Sequence, residues 1–159
     1  MNTILIPTDF TVGSLEIMNT LARGTDNKLN FILFHAFDMP GSLVEAMSRA
    51  GINSHNKLIT ENLRLACKRI KANNNNIANI SFRNMYGTTI AAFKNYAEAN
   101  AIDMIALPPD FRFVHITRES VDPTRMFKKS GLPLLSSPYP IRETTDTNAD
   151  VNMNPGLAV

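Results

Sequence analysis

Leu29 to Phe37 is nearly continuous apolar sequence, interrupted at His35. The stretch falls far short of the roughly 20 apolar residues that cross a bilayer. Its lack of alternation marks a strand covered on both faces. Ile4-Leu5-Ile6 has the same character and stops at the turn Pro7-Thr8-Asp9. Strands of this kind belong inside parallel sheets, and that requirement orders the rest of the chain. Thr11 to Arg23 sets Leu15, Met18, Leu21 and Ala22 at helical spacing, with Gly24 placed for a left-handed cap. Asp38 to Ser54 reads as a connection with one or two helical turns. Ser54 to Ala72 carries the stripe Leu58, Ile59, Leu63, Ala66, Cys67 and Ile70. The run Asn73 to Asn76 ends it, since asparagine tolerates left-handed backbone.

A third strand follows around Ile80 and Phe82 and closes at Gly87. Thr88 or Thr89 then caps a helix that buries Ile90, Phe93 and Ala97. Met104 to Leu107 is a fourth strand, halted by Pro108-Pro109. Asp122-Pro123 opens a short helix, Gly131 closes it, and Leu132 to Leu135 is a fifth strand. Strands alternating with helices predict an α/β fold: a doubly wound parallel sheet with helices on both faces. Ile4–Ile6 is expected at its centre, beside Met104–Leu107.

At 159 residues the chain is one domain in size and can build a full core. A single cysteine, Cys67, excludes an internal disulfide framework and a multi-cysteine metal cluster. The net charge of +2 is too small to argue for nucleic acid, and no apolar run argues for a membrane. Met1-Asn2-Thr3-Ile4-Leu5 lacks the basic segment of a signal peptide, so a cytoplasmic location is expected. The charge is uneven. From Pro138 onward Arg142 stands against Glu143, Asp146 and Asp150, giving an acidic tail of −2 on a body of +4. Residues 1–137 form the expected α/β domain and 138–159 the tail. The heavy use of asparagine reads as compositional bias.

Ligands of open parallel sheets bind beyond the carboxyl ends of the strands, where the strand order reverses. That places a candidate crevice at Thr8 and Asp9 after the first strand, and at Gly87, Thr88 and Thr89 after the third. The loop after the fourth strand completes it, with Arg112 and His115 as candidate anion contacts. Ile4-Leu5-Ile6-Pro7-Thr8-Asp9-Phe10-Thr11 resembles the opening strand and turn of the universal stress protein family. Met85-Tyr86-Gly87-Thr88-Thr89-Ile90 is similar to that family's third strand and glycine turn. Asn100 to Leu107 resembles its fourth-strand entry, and Leu132-Pro133-Leu134-Leu135 its closing strand.

The resemblance spans about residues 3 to 137. It implies a sheet of order 3-2-1-4-5, akin to adenine-nucleotide hydrolases, and a homodimer paired through the fifth strand. It also implies a stress-response role. Members that bind ATP carry two glycines three apart after the fourth strand, and a third, about ten residues later, before serine or threonine. Bare backbone amides there can approach phosphate oxygens. Here the stretch is Leu107-Pro108-Pro109-Asp110-Phe111-Arg112, with no glycine between Gly87 and Gly131, and Glu119-Ser120 replaces glycine-serine. The prolines remove donors, Phe111 adds bulk, and Asp110 and Glu119 add negative charge. The chain is therefore expected not to bind ATP, and Asp9 to serve its own loop.

His35 reads as a packed core histidine and Cys67 as an inert core thiol. His55 and His115 fall in different loops, and no metal site is expected. Ser14, Ser120 and Ser130 show no histidine and acid arrangement in sequence, so no catalytic residue and no cofactor is assigned. The expected function is a non-enzymatic, dimeric stress-family role through protein contacts or a small ligand. The alternative is a nucleotide- or anion-binding module with an altered phosphate loop.

Overall fold

The structure is a computed structural model and describes residues 1–38 and 55–135. The expected connection over 39–54 and the acidic tail within 136–159 lie outside the described residues. In chain order come β1 (Asn2–Pro7), a 3-10 turn (Val12–Leu15), α1 (Glu16–Arg23), β2 (Leu29–Phe34) and β3 (Ala36–Phe37). They are followed by α2 (Glu61–Asn73), β4 (Ile77–Phe82), β5 (Met85–Tyr86) and α3 (Ile90–Ala99). Then come β6 (Met104–Ala106), β7 (Ser120–Val121), α4 (Thr124–Lys129) and β8 (Leu134–Leu135).

The main sheet runs β4-β2-β1-β6-β8, every neighbouring pair parallel. Counted along the chain, these five strands give the order 3-2-1-4-5. β1 lies at the centre, with Ile4 opposite Phe31 on one side and Met104 on the other. Alternation within the apolar runs now acquires its meaning. Ile4, Ile6, Phe31 and Leu33 face α1 and α2, packing with Leu15, Met18, Leu63 and Ile70. Leu5, Ile32 and Phe34 face the other way, onto Phe93, Met126 and Phe127 of α3 and α4. Both sides are dry, so neither set of positions can be polar. At its start β1 is tied to the entry of β6: the Thr3 amide donates to the Asp103 carboxylate at 2.8 Å, and the Asp103 amide returns a bond to the Thr3 carbonyl at 2.9 Å.

Three short strands, β5-β3-β7, form a second sheet at the carboxyl end, β3 parallel to β5 and antiparallel to β7. The sequence gives no warning of it, because pairs of two residues carry no periodicity. Other expectations shift locally. The helix expected from Ser54 starts at Glu61, because the Thr60 hydroxyl caps it by accepting from the Leu63 amide at 3.2 Å. Gly24 is not left-handed (φ −87°), and neither is Asn74 (φ −134°). The asparagines do other work. Asn74 Nδ2 donates to Asn19 Oδ1 and to the Ile70 carbonyl, both at 2.8 Å. Asn76 Nδ2 donates to the carbonyls of Ala22, Thr25 and Asn27 at 2.9, 2.8 and 3.2 Å. Together they clamp the α2–β4 junction to the end of α1, so composition alone does not account for them.

Thr89, and not Thr88, caps α3, accepting the Ala92 amide at 3.0 Å. Thr89→Ala should cost about 1 kcal/mol, Thr89→Ser should recover most of it, and urea denaturation of the three proteins would measure both.

Candidate functional site

The crevice forms where the carboxyl ends of β1 and β6 diverge, at the reversal of strand order. Beyond β1 the chain turns sharply, with Phe10 in left-handed backbone (φ 63°), a conformation that strains a bulky residue. A local hydrogen-bond chain holds it. The Ser14 hydroxyl donates to the Thr11 carbonyl at 2.7 Å, so at the 2.8 Å contact Thr8 must be the donor to Ser14 Oγ. Thr8 Oγ1 in turn accepts the Phe10 amide at 3.0 Å. Asp9 Oδ1 accepts both the amide and the hydroxyl of Thr11, at 3.1 and 2.5 Å. Asp9 thus braces its own turn.

The opposite wall is the segment 108–121, a strap between β6 and β7. Pro108-Pro109-Asp110-Phe111 is a tight turn closed by the Phe111 amide on the Pro108 carbonyl at 3.0 Å, with proline at its favoured second position. The turn turns Phe111 into the crevice, where it lines the adjoining cavities. One cavity of about 240 Å³ is lined by Ile6, Asp9, Ser14, Ala106, Phe111 and Arg112 among others. Its size is below the roughly 300 Å³ at which ordinary small-molecule pockets begin. A second, of about 20 Å³, holds little more than a water between Thr8, His35, Phe113 and Arg112. Thr8, Asp9 and Arg112 line this same small cavity. Gly87, Thr88 and Thr89 line neither cavity. Gly87 (φ 149°) donates its amide to the Phe37 carbonyl at 2.8 Å, and Thr89 is spent on its helix. His115 is exposed and lies edge-on to Phe113 at 4.6 Å.

His35, between β2 and β3, is buried, as expected of a core histidine. Its partners are the informative part. Nδ1 lies 2.9 Å from the Thr8 carbonyl, which can only accept, so Nδ1 carries the hydrogen. Nε2 lies 2.8 Å from Ser120 Oγ, and that oxygen also receives the amides of Ile116 and Thr117 at 3.1 and 3.0 Å. With both lone pairs of Ser120 engaged, its one hydrogen goes to Nε2. Burial lowers the affinity of His35 for a proton, and neighbouring His55 and His115 act in the same sense, against the Thr8 bond and the Asp9 charge.

Ser120 and His35 have the atom order of a nucleophile and its base. Yet Oγ is buried and has no free lone pair to attack with. The contact is structural, and sequence reasoning missed it because 85 residues separate the two.

Aromatic rings surround this contact. Phe10 lies 5.2 Å from His35 and 6.4 Å from Phe82, and His55 stacks flat on Phe37 at 3.8 Å. His55 Nδ1 meets the Tyr86 hydroxyl at 3.0 Å, and its Nε2 meets Glu119 Oε1 at 3.5 Å. Slight burial raises the proton affinity of the Glu119 carboxyl, but bonds from His55 and Thr117 outweigh it and the net shift is downward. The three histidines thus converge on one cluster, linked through rings instead of around a common point. Among the described residues no group of three His, Cys, Asp or Glu side chains could hold a metal ion.

Sheet order and switch-point crevice define a doubly wound α/β domain. More particularly, the fold is that of the universal stress proteins. The chain is similar to the crystal structure of a hypothetical protein, PH0823, at 21% identity and a TM-score of 0.52, covering 92% of this chain and 99% of that one. It is also similar to the universal stress protein UspA from Lactobacillus plantarum at 13% identity and a TM-score of 0.51, covering 86% and 97%. The sequence matches no family model and no curated protein. Among the described residues no helix is long and apolar enough to cross a membrane.

Proposed function

We propose that this chain is a universal-stress-type protein that has given up triphosphate binding and acts, without catalysis, through protein contacts as a homodimer. The observation carrying this reading is the strap. Its turn sets Phe111 into the crevice, and its two inward amides, those of Ile116 and Thr117, are taken by the chain's own Ser120. A phosphate needs such amides free. Pairing through β8 is supported by its position at the sheet edge and by the half-buried Leu134 and Leu135, since an apolar edge calls for cover.

The test is thermal unfolding with millimolar ATP and, in a parallel arm, AMP. A ligand at a hundred times its dissociation constant adds about 2.7 kcal/mol, which raises melting by roughly 5–10 °C in a chain this long. ATP is expected to give no such rise, and a rise of that size with ATP would overturn the reading. A small-ligand module is the second reading, favoured by Arg112 and Asp9 sharing the 240 Å³ cavity. A rise with AMP alone would select it.

A further inference from the structure

We propose that His35 is a proton-operated latch on the strap 108–121: neutral, it holds Ser120 down and keeps the strap on the crevice; protonated, it expels Ser120 and frees the strap. Neutral His35 offers one N–H, at Nδ1, and the Thr8 carbonyl takes it at 2.9 Å. A second proton can only go on Nε2, where it would point at Ser120 Oγ, 2.8 Å away. That oxygen already accepts the Ile116 and Thr117 amides and has two lone pairs. Four hydrogens, its own included, would then converge on one oxygen in a buried site. The contact must break.

What breaks with it is local. β7 is two residues long and pairs with β3 through Ala36–Val121 and Phe37–Ser120. The amides of Ile116 and Thr117 lose their acceptor at the same moment. The strap has further ties, the Asp38 amide on the Glu119 carbonyl at 2.7 Å and the His55–Glu119 contact, so its release is a loosening of 112–121 and not unfolding of the sheet.

The groups around His35 set the direction of the pH response. Asp9 beside β1 favours the charged imidazole, whereas His55 before α2 and His115 on the strap oppose it, as does burial. Arg112 lines the same small cavity and adds positive charge there. Tyr86 on β5 and Glu119 face His55 and reach His35 only through it. Because His35 holds its proton less tightly folded than free, the latch's stabilisation is complete above the free histidine value of about 6.5 and is lost as pH falls below it.

The experiment uses the full chain in two measurements. Nitrogen-15 NMR of the histidine rings should show His35 as the Nδ1–H tautomer at neutral pH. Amide hydrogen exchange, corrected for the intrinsic effect of pH, is then compared at about pH 7.5 and about pH 5.5. Protection at Ile116, Thr117 and Ser120 should fall by up to roughly tenfold between the two, the ceiling set by the one pH unit that separates the acid condition from the free histidine value. Amides of β1 and β2 should keep their protection. In Ser120→Ala the strap amides should exchange fast at both pH values. An Nε2–H tautomer, or strap protection unchanged while His35 takes up its proton, would overturn the latch. Loss of strap protection that does not follow the His35 titration would do the same.

Discussion

Replacing Phe34 with alanine should cost about 3–5 kcal/mol of folding stability. The ring is essentially inaccessible and forms the hub of the second core layer, with Phe93, Tyr96 and Phe127 at centroid distances of 5.7, 5.3 and 5.5 Å. Two of these neighbours come from α3 and one from α4, so the cavity left behind cannot be closed by moving a single element. At roughly 2–4 °C per kcal/mol for a chain of this length, melting should drop by about 6–20 °C. Leu65→Ala, on the exposed face of α2, is the control and should stay within about 0.5 kcal/mol of the parent. A Phe34→Ala loss no greater than the control's would show that this layer is not the core.

Asn76→Asp is the second large effect, and its cause is polar. The amide nitrogen serves three carbonyls with only two hydrogens, so at least one of them is shared. A carboxylate of the same shape offers only acceptors to three acceptors. The loss should reach about 2–4 kcal/mol at neutral pH. It should shrink in acid, because a protonated carboxyl regains one donor. The sign follows from linkage: the new carboxyl binds its proton more tightly folded than unfolded, so lowering the pH favours the folded variant. Guanidinium titrations at neutral pH and near pH 3.5 would read this, and a deficit that grows in acid relative to the parent would refute it.

How much of this was legible beforehand depends on the range of each interaction. The central strands were, because Ile4–Ile6 and Leu29–Phe34 need cover on both faces and a parallel sheet provides it; the expected strand Leu29–Phe37 breaks at His35, and Ala36–Phe37 joins the second sheet. Their partners in α1 and α3 follow from short-range spacing. Asn76 meets carbonyls 49 to 54 residues away, and no local pattern announces such a contact. The same holds for Ser120 and for the left-handed Phe10, whose residue type argues against the conformation it adopts. In the site, composition told against phosphate through Pro108, Pro109 and Phe111. That Ser120 fills the amides a phosphate would want is a matter of folded geometry alone.

The doubled proline of the strap has a thermodynamic consequence. Each ring removes backbone freedom from the unfolded chain, so the strap gives up less conformational entropy on folding than a glycine loop would. Glycine loops carry the opposite liability: they remain costly to order until an occupant supplies the missing interactions. Here Pro108-Pro109 and the internal hydroxyl set the shape in advance. The strap would then take its folded shape without an occupant, whereas a ligand that does bind would still add stability by mass action.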